Sequence, residues 1–142
     1  MNYLLDTCVI SELVKTKPDL RMVQWIRSQD EENLFLSVIT IGEIQKGISK
    51  LPDGRKKKQQ LQNWLNKELQ ERFKDRILEI TIGTARIWGQ VLKACEKKGV
   101  ILPAIDSLIA SQGIFHKMTI VTRNVSDMKP SGAQLFNPWA TG

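Results

Sequence analysis

Asp6, Glu43, Asp106 and Asp127 each stand just past an apolar run or in the first turn of an expected helix. The runs are Tyr3-Leu4-Leu5 before Asp6, Leu34 to Val38 before Glu43, and Thr119-Ile120-Val121-Thr122 before Asp127, while Asp106 opens a helix just after Pro103. Open parallel α/β sheets bind ligands in the crevice at the carboxyl ends of their strands. Carboxylates delivered there from several strands make a hard-oxygen cation site, and oxygen donors without His or Cys select Mg²⁺ or Mn²⁺ over zinc. Two carboxylates about 4 Å apart repel by roughly 4 kcal/mol at an effective dielectric near 20, so such a cluster calls for a proton or a cation. A cation held there can activate water and stabilise a pentacoordinate phosphate. Each acid alone has a structural reading: Asp6-Thr7 as a helix cap, Glu43 as half of a capping box, Asp106 as a partner of the helix dipole, Asp127 as the end of a loop. Their shared topological edge favours chemistry.

The elements that must carry these acids alternate. The pattern predicts strand 3–5, short helix 11–16, helix 19–29, strand 34–38, helix 41–50, helix 56–73, strand 77–80, helix 83–98, helix 104–116, strand 119–122 and a short strand 134–136. Strands separated by helices imply an α/β fold with a central, mostly parallel sheet covered on both faces, a three-layer α/β/α sandwich. Local signals set the boundaries. Ser11 or a neighbour caps the first helix, and Pro18-Asp19 opens the one whose face is Leu20, Val23 and Ile26. Thr40 followed by Glu43 has the capping-box spacing. Leu61, Trp64, Leu65, Leu69 and Phe73 form one apolar face, Trp88, Val91, Leu92 and Cys95 another, and Gly99 is the C′ stop of the latter helix. Pro52-Asp53-Gly54 turns between two helices, leaving Leu61, Leu65 and Leu69 available for burial by a partner. No repeat or second domain is visible, so residues 1–142 read as one domain.

Composition narrows the class. With 42% hydrophobic and 25% charged residues the chain is an ordinary globular protein. No apolar run approaches the ~20 residues of a membrane span, and Met1 to Ile10 has no basic leader before Asp6, so a cytoplasmic location is expected. Cys8 and Cys95, in apolar surroundings, read as buried thiols. A single histidine, His116, rules out a His–His nuclease centre and is assigned a structural role. No zinc or P-loop motif is present. The net charge of +6 suits an anionic polymer. Arg55-Lys56-Lys57-Lys58, Lys97-Lys98 and Arg123 are the candidate phosphate contacts, Arg123 nearest the acids. Trp25, Trp64 and Trp88 belong to helix faces; for Trp139, stacking and packing are both open.

Four segments resemble the PIN-domain ribonucleases, and among them the VapC-like and FitB-like toxins of type II toxin–antitoxin modules. They are Leu4-Leu5-Asp6-Thr7-Cys8-Val9-Ile10-Ser11-Glu12, then Ser37-Val38-Ile39-Thr40-Ile41-Gly42-Glu43-Ile44 with Gly47-Ile48, then Ile105-Asp106-Ser107-Leu108-Ile109-Ala110, and Ile120-Val121-Thr122-Arg123-Asn124-Val125-Ser126-Asp127. The resemblance implies a Mg²⁺- or Mn²⁺-dependent endoribonuclease held inactive by a cognate antitoxin, in a homodimer or larger assembly, with RNA (transfer RNA by family analogy) as substrate. It makes Asp6 and Asp106 the metal ligands, Glu43 their helper, and Thr7 and Thr122 supporting hydroxyls. Many PIN domains carry an acid two residues after the last motif's Thr. Here that residue is Asn124, and Asp127 follows three later, so either could complete the site. Three alternatives share much of this pattern: an RNA-processing nuclease of the same fold, an inactive PIN-like binding module, and a phosphoacceptor receiver domain. The receiver is disfavoured because it needs an acidic pair after strand one, where Thr7 stands.

Overall fold

The structure, a computed structural model, describes residues 1–140. The last two residues of the single domain expected over 1–142 lie outside the described residues. Five strands, β1 (Tyr3–Leu5), β2 (Leu34–Ser37), β3 (Ile77–Leu78), β4 (Thr119–Val121) and β5 (Leu135–Phe136), form one sheet in the order β3-β2-β1-β4-β5. Every pairing is parallel, so the sheet is wholly rather than mostly parallel. The chain leaves β1 first toward β2 and later returns to lay β4 on the other side. The order therefore reverses between β1 and β4, where a doubly wound sheet opens its crevice.

Alternation along the strands feeds two cores. Leu5, Leu34, Leu36 and Val121 face one side, where they bury Val9 and Ile10 of α1 (Thr7–Leu13), Met22 and Ile26 of α2 (Leu20–Ser28) and Ile48 of α3 (Val38–Ser49). Leu4 and Ile120 face the other, against Ile109 and Ala110 of α7 (Ala104–His116) and Met128 of α8 (Val125–Met128). Val91 and Cys95 of α6 (Ile82–Lys97) pack outside α7. Since α7 is enclosed by sheet and helix, it buries Ser107, Ser111 and Gln112 along with Ile109 and Ala110.

Gly113 of α7 shows how close that approach is. A Cβ there would lie 2.7 Å from Cγ1 of the fully buried Ile120. Ile120 has nowhere to move. Gly113→Ala is expected to lower unfolding free energy by about 1–2 kcal/mol, overpacking outweighing the ~1 kcal/mol helix-propensity gain. Gly83→Ala also meets a ring, at 2.3 Å, but Phe115 is 41% exposed and can swing away. Urea titration of the two variants should show the loss at position 113 alone.

Several boundaries differ from the sequence expectation. The first helix begins at Thr7, not 11, because the Asp6 carboxylate itself accepts the Thr7 N–H at 2.8 Å and caps it. The helix expected at 41–50 starts at Val38, capped by the Ser37 hydroxyl, so Thr40 and Glu43 lie inside it and form no capping box. The helix expected at 56–73 runs as α4 (Lys56–Asn63), a π-helical stretch Trp64–Leu69 and α5 (Gln70–Arg72). That stretch sends Leu65 and Leu69 into the core, which leaves only Leu61 and Trp64 of that face partly open. Other predictions stand: Asp19 caps α2, and α6 ends in a Schellman motif with Gly99 at φ 71°. No helix among the described residues is long and apolar enough to cross a membrane.

Candidate active site

Asp6 directly follows β1, and its N–H donates to the Val121 carbonyl at 2.9 Å, carrying the β1–β4 pairing one residue further. The side chain, 4% exposed, is fixed at both oxygens. Oδ1 accepts the Thr7 N–H at 2.8 Å and Oδ2 the Thr122 hydroxyl at 2.7 Å. The Cys8 thiol also points to Oδ2, at 3.7 Å. Thr122 sits at the end of β4, and its oxygen in turn accepts the Asn124 N–H at 3.0 Å. The reversal point of the sheet thus holds a carboxylate that cannot rotate.

Glu43 arrives from the second turn of α3. Its Oε1 accepts the Thr7 hydroxyl at 2.6 Å, and the buried Thr40 hydroxyl lies 3.0 Å from the same Thr7 oxygen. Asp106 comes from the first turn of α7. Burial raises its carboxyl above the ordinary range, and the charges of Asp6, Asp127 and Glu43 push it further the same way. These acids repel one another across the opening, which an added cation would relieve.

Asp6, Thr7, Glu43, Asp106 and Asn124 line one cleft of about 380 Å³. Asp127 does not line it. It stands exposed on α8 and acts on the cleft through its charge on Asp106. Asn124, the N-cap of α8, occupies the wall where the fourth acid was sought. The cleft also includes Cys8, Ser11, Glu12, Lys15 and Arg123. Of these, Glu12 stood in the first PIN-like segment of the sequence but was given no role there. The Cys8 thiol is half-buried, packed against the core while lining the cleft; burial first, then the Asp6 charge, push it up. Cys95 is buried as expected, and both thiols are free.

The other sequence candidates disperse. Lys58 donates to Asp53 at 2.7 Å and to the Leu51 carbonyl, so part of the cationic run serves its own turn. The Trp88 indole donates to Ser107 at 2.9 Å, Trp25 packs edge-on against Tyr3, and Trp139 is buried. His116 plays no part in the cleft; burial lowers its pKa and leaves Nε2 without a partner.

A family model described as PIN domain matches residues 3–126. The chain belongs to the PIN-domain family. Across 95% of its length this PIN protein is 33% identical to the VapC ribonuclease Y4jK of Sinorhizobium fredii, of which it covers 96%. It is 35% identical to toxin FitB of Neisseria gonorrhoeae, over 96% of this chain and 97% of that one. A structure of FitAB bound to an IR36 DNA fragment superposes with a TM-score of 0.92 at 33% identity, covering 99% of this chain and 97% of that chain. The three-layer PIN-like reading of the sequence is thereby borne out.

The donor set suits a hard divalent cation: the carboxylates are close enough to raise Asp106, and no histidine or second thiol competes. Among the described residues no three His, Cys, Asp or Glu side chains gather tightly enough to cage an ion unaided.

Proposed function

We propose that this PIN domain is a divalent-metal-dependent endoribonuclease, acting in the cytoplasm as the toxin of a type II toxin–antitoxin pair. The observation that carries the chemistry is the convergence of Asp6, Glu43 and Asp106 on one cleft at the sheet's reversal point, with Asp6 locked by Thr7 and Thr122. The toxin role is supported by relatives named VapC ribonuclease and toxin FitB, which align over nearly the whole chain.

Asp6 and Asp106 would hold Mg²⁺ or Mn²⁺. When bound, the cation supplies Lewis-acid stabilisation of charge building on the phosphate and makes water easier to deprotonate. The protein's own groups do the rest. Thr7 pins Glu43 by one carboxylate oxygen, which leaves the other to take a proton from the attacking water. Thr122 and the Thr7 N–H keep Asp6 from turning away.

Purified protein should cleave RNA with added Mg²⁺ or Mn²⁺ and stop in EDTA; undiminished cleavage in EDTA would overturn the metal assignment. Asn124 and Asp127 can be told apart in the same assay. Because Asn124 lines the cleft and Asp127 does not, Asn124→Ala is expected to cost about 10–100-fold, the range for groups that orient ligands, and Asp127→Ala less. The reverse order would give Asp127 the fourth acid's role.

The antitoxin partner has a place to bind. A groove of about 280 Å³ lined by Val14, Ile44, Ile48, Leu61 and Trp64 runs up to Glu43 and Thr7. A partner helix laying an apolar strip there could carry a basic side chain to the carboxylates. Assembly into a homodimer or larger complex, and transfer RNA as the substrate, belong to the same proposal.

A further inference from the structure

One wall of the cleft is cationic, and its charges do not cancel. Lys15 and Arg123 both turn toward the single carboxylate of Glu12, with Lys15 Nζ at 3.1 Å and Arg123 Nη1 at 4.0 Å from the same Oε1. The other oxygen, Oε2, is occupied by the Asp19 N–H that begins α2. Glu12 is therefore anchored and buried, its side chain 6% exposed, whereas Lys15 and Arg123 keep 54% and 53% of theirs open. Among the described residues Arg123 has no other acidic partner, so two cations share one negative charge. Behind Arg123 lies the indole of Trp139, its centroid 5.0 Å from the guanidinium carbon. Trp139 is 7% exposed and belongs to the same core cluster as Val9 and Leu5. The guanidinium thus lies between a buried ring and a buried carboxylate, on the lining of the cleft and half exposed.

We infer that Arg123 and Lys15 grip a phosphodiester of the RNA strand beside the one being cut, and that Trp139, with Glu12, is the positioning residue that aims Arg123. A delocalised, always-charged fork resting on an aromatic face meets phosphate oxygens in pairs at little loss of side-chain freedom. The acids opposite cannot take this role, because they repel the strand. The C-terminal segment, which contributes no acid, thereby enters substrate binding. This inference rests on the ribonuclease reading.

The test is binding of a labelled single-stranded RNA oligonucleotide in EDTA, where nothing is cut, across a salt series, with melting curves to verify folding. Arg123→Gln should weaken binding and flatten the slope of log K against log salt by about 0.7, the single-strand value for one contact. Trp139→Leu changes no charge, yet should weaken binding several-fold, and Trp139→Phe should restore most of it. Arg123→Lys should keep the slope and lose affinity. Unchanged affinity and slope in Arg123→Gln would overturn the grip. Folded Trp139→Leu binding as tightly as the unsubstituted protein would overturn the aiming role. Should Trp139→Leu fail to fold, Arg123→Lys decides that role, and affinity equal to the unsubstituted protein overturns it. If the unsubstituted protein neither binds nor cuts RNA, the ribonuclease reading itself fails and the grip with it, an outcome distinct from a variant-specific one.

Discussion

Asp106→Asn is expected to lower RNA cleavage by at least about a hundredfold, the lower end for removing one group that stabilises a transition state, while making the metal-free protein more stable. Burial and the charges of Asp6, Asp127 and Glu43 raise the Asp106 pKa in the folded chain. A carboxyl whose folded pKa is raised favours the fold below its unfolded pKa, near 3.9, and loses that contribution as pH rises through the folded value. At neutral pH the metal-free protein therefore carries a penalty that Asn removes. The melting temperatures of wild type and Asp106→Asn in EDTA should differ at pH 7 and converge below about pH 4. Added Mg²⁺ should close the gap at pH 7 by stabilising wild type alone. A variant that melts lower at every pH would show that Asp106 is structural. Asp6→Asn should lose as much activity with no such gain, since the Thr7 N–H and the Thr122 hydroxyl each donate to one carboxylate oxygen and an amide offers one acceptor in place of two.

Expression of this chain without a partner is expected to arrest growth, and expression of its Asp6→Asn form is not. Co-expression of an antitoxin that covers the Ile44–Leu61–Trp64 groove should restore growth. Its basic side chain would replace the cation's charge at the carboxylates, so inhibition should leave the fold intact. Leu61→Glu then separates inhibition from catalysis. That substitution places an exposed-capable charge in the groove, and it should keep RNA cleavage while abolishing rescue. Harmless wild-type expression with intact cellular RNA would favour an RNA-processing enzyme of the same fold over a toxin.

The placing of Asp6, Glu43 and Asp106 at one edge was legible because it depends on short-range order, whereas Thr7 and Thr122 were named only by the resemblance to PIN domains. An apolar run ends, a helix begins, and the intervening residue must lie at the carboxyl edge of a parallel sheet. The same local rules located nearly every element, since strands buried on both faces and helices with one apolar stripe leave strong periodic signals. Where those rules failed, a side chain had been claimed by something distant in sequence. Thr40 and Glu43 have capping-box spacing, but Thr7 takes Glu43 for the site and Ser37 takes the cap. Leu65 and Leu69 have the spacing of an open face, but a π-helical stretch turns them inward.

The sequence by itself determined the sheet, its edge and the acids standing on it. Only the tertiary structure decided which residues complete the cleft. Asn124 lines it and Asp127 does not, because Thr122 caps the loop at Asn124 and α8 then carries Asp127 outward. Glu12, Arg123 and Trp139 are far apart in the chain, and nothing in their neighbours marks them as a group. They meet because α1, the end of β4 and the C-terminal segment converge where the sheet order reverses, and that convergence is a property of packing rather than of spacing.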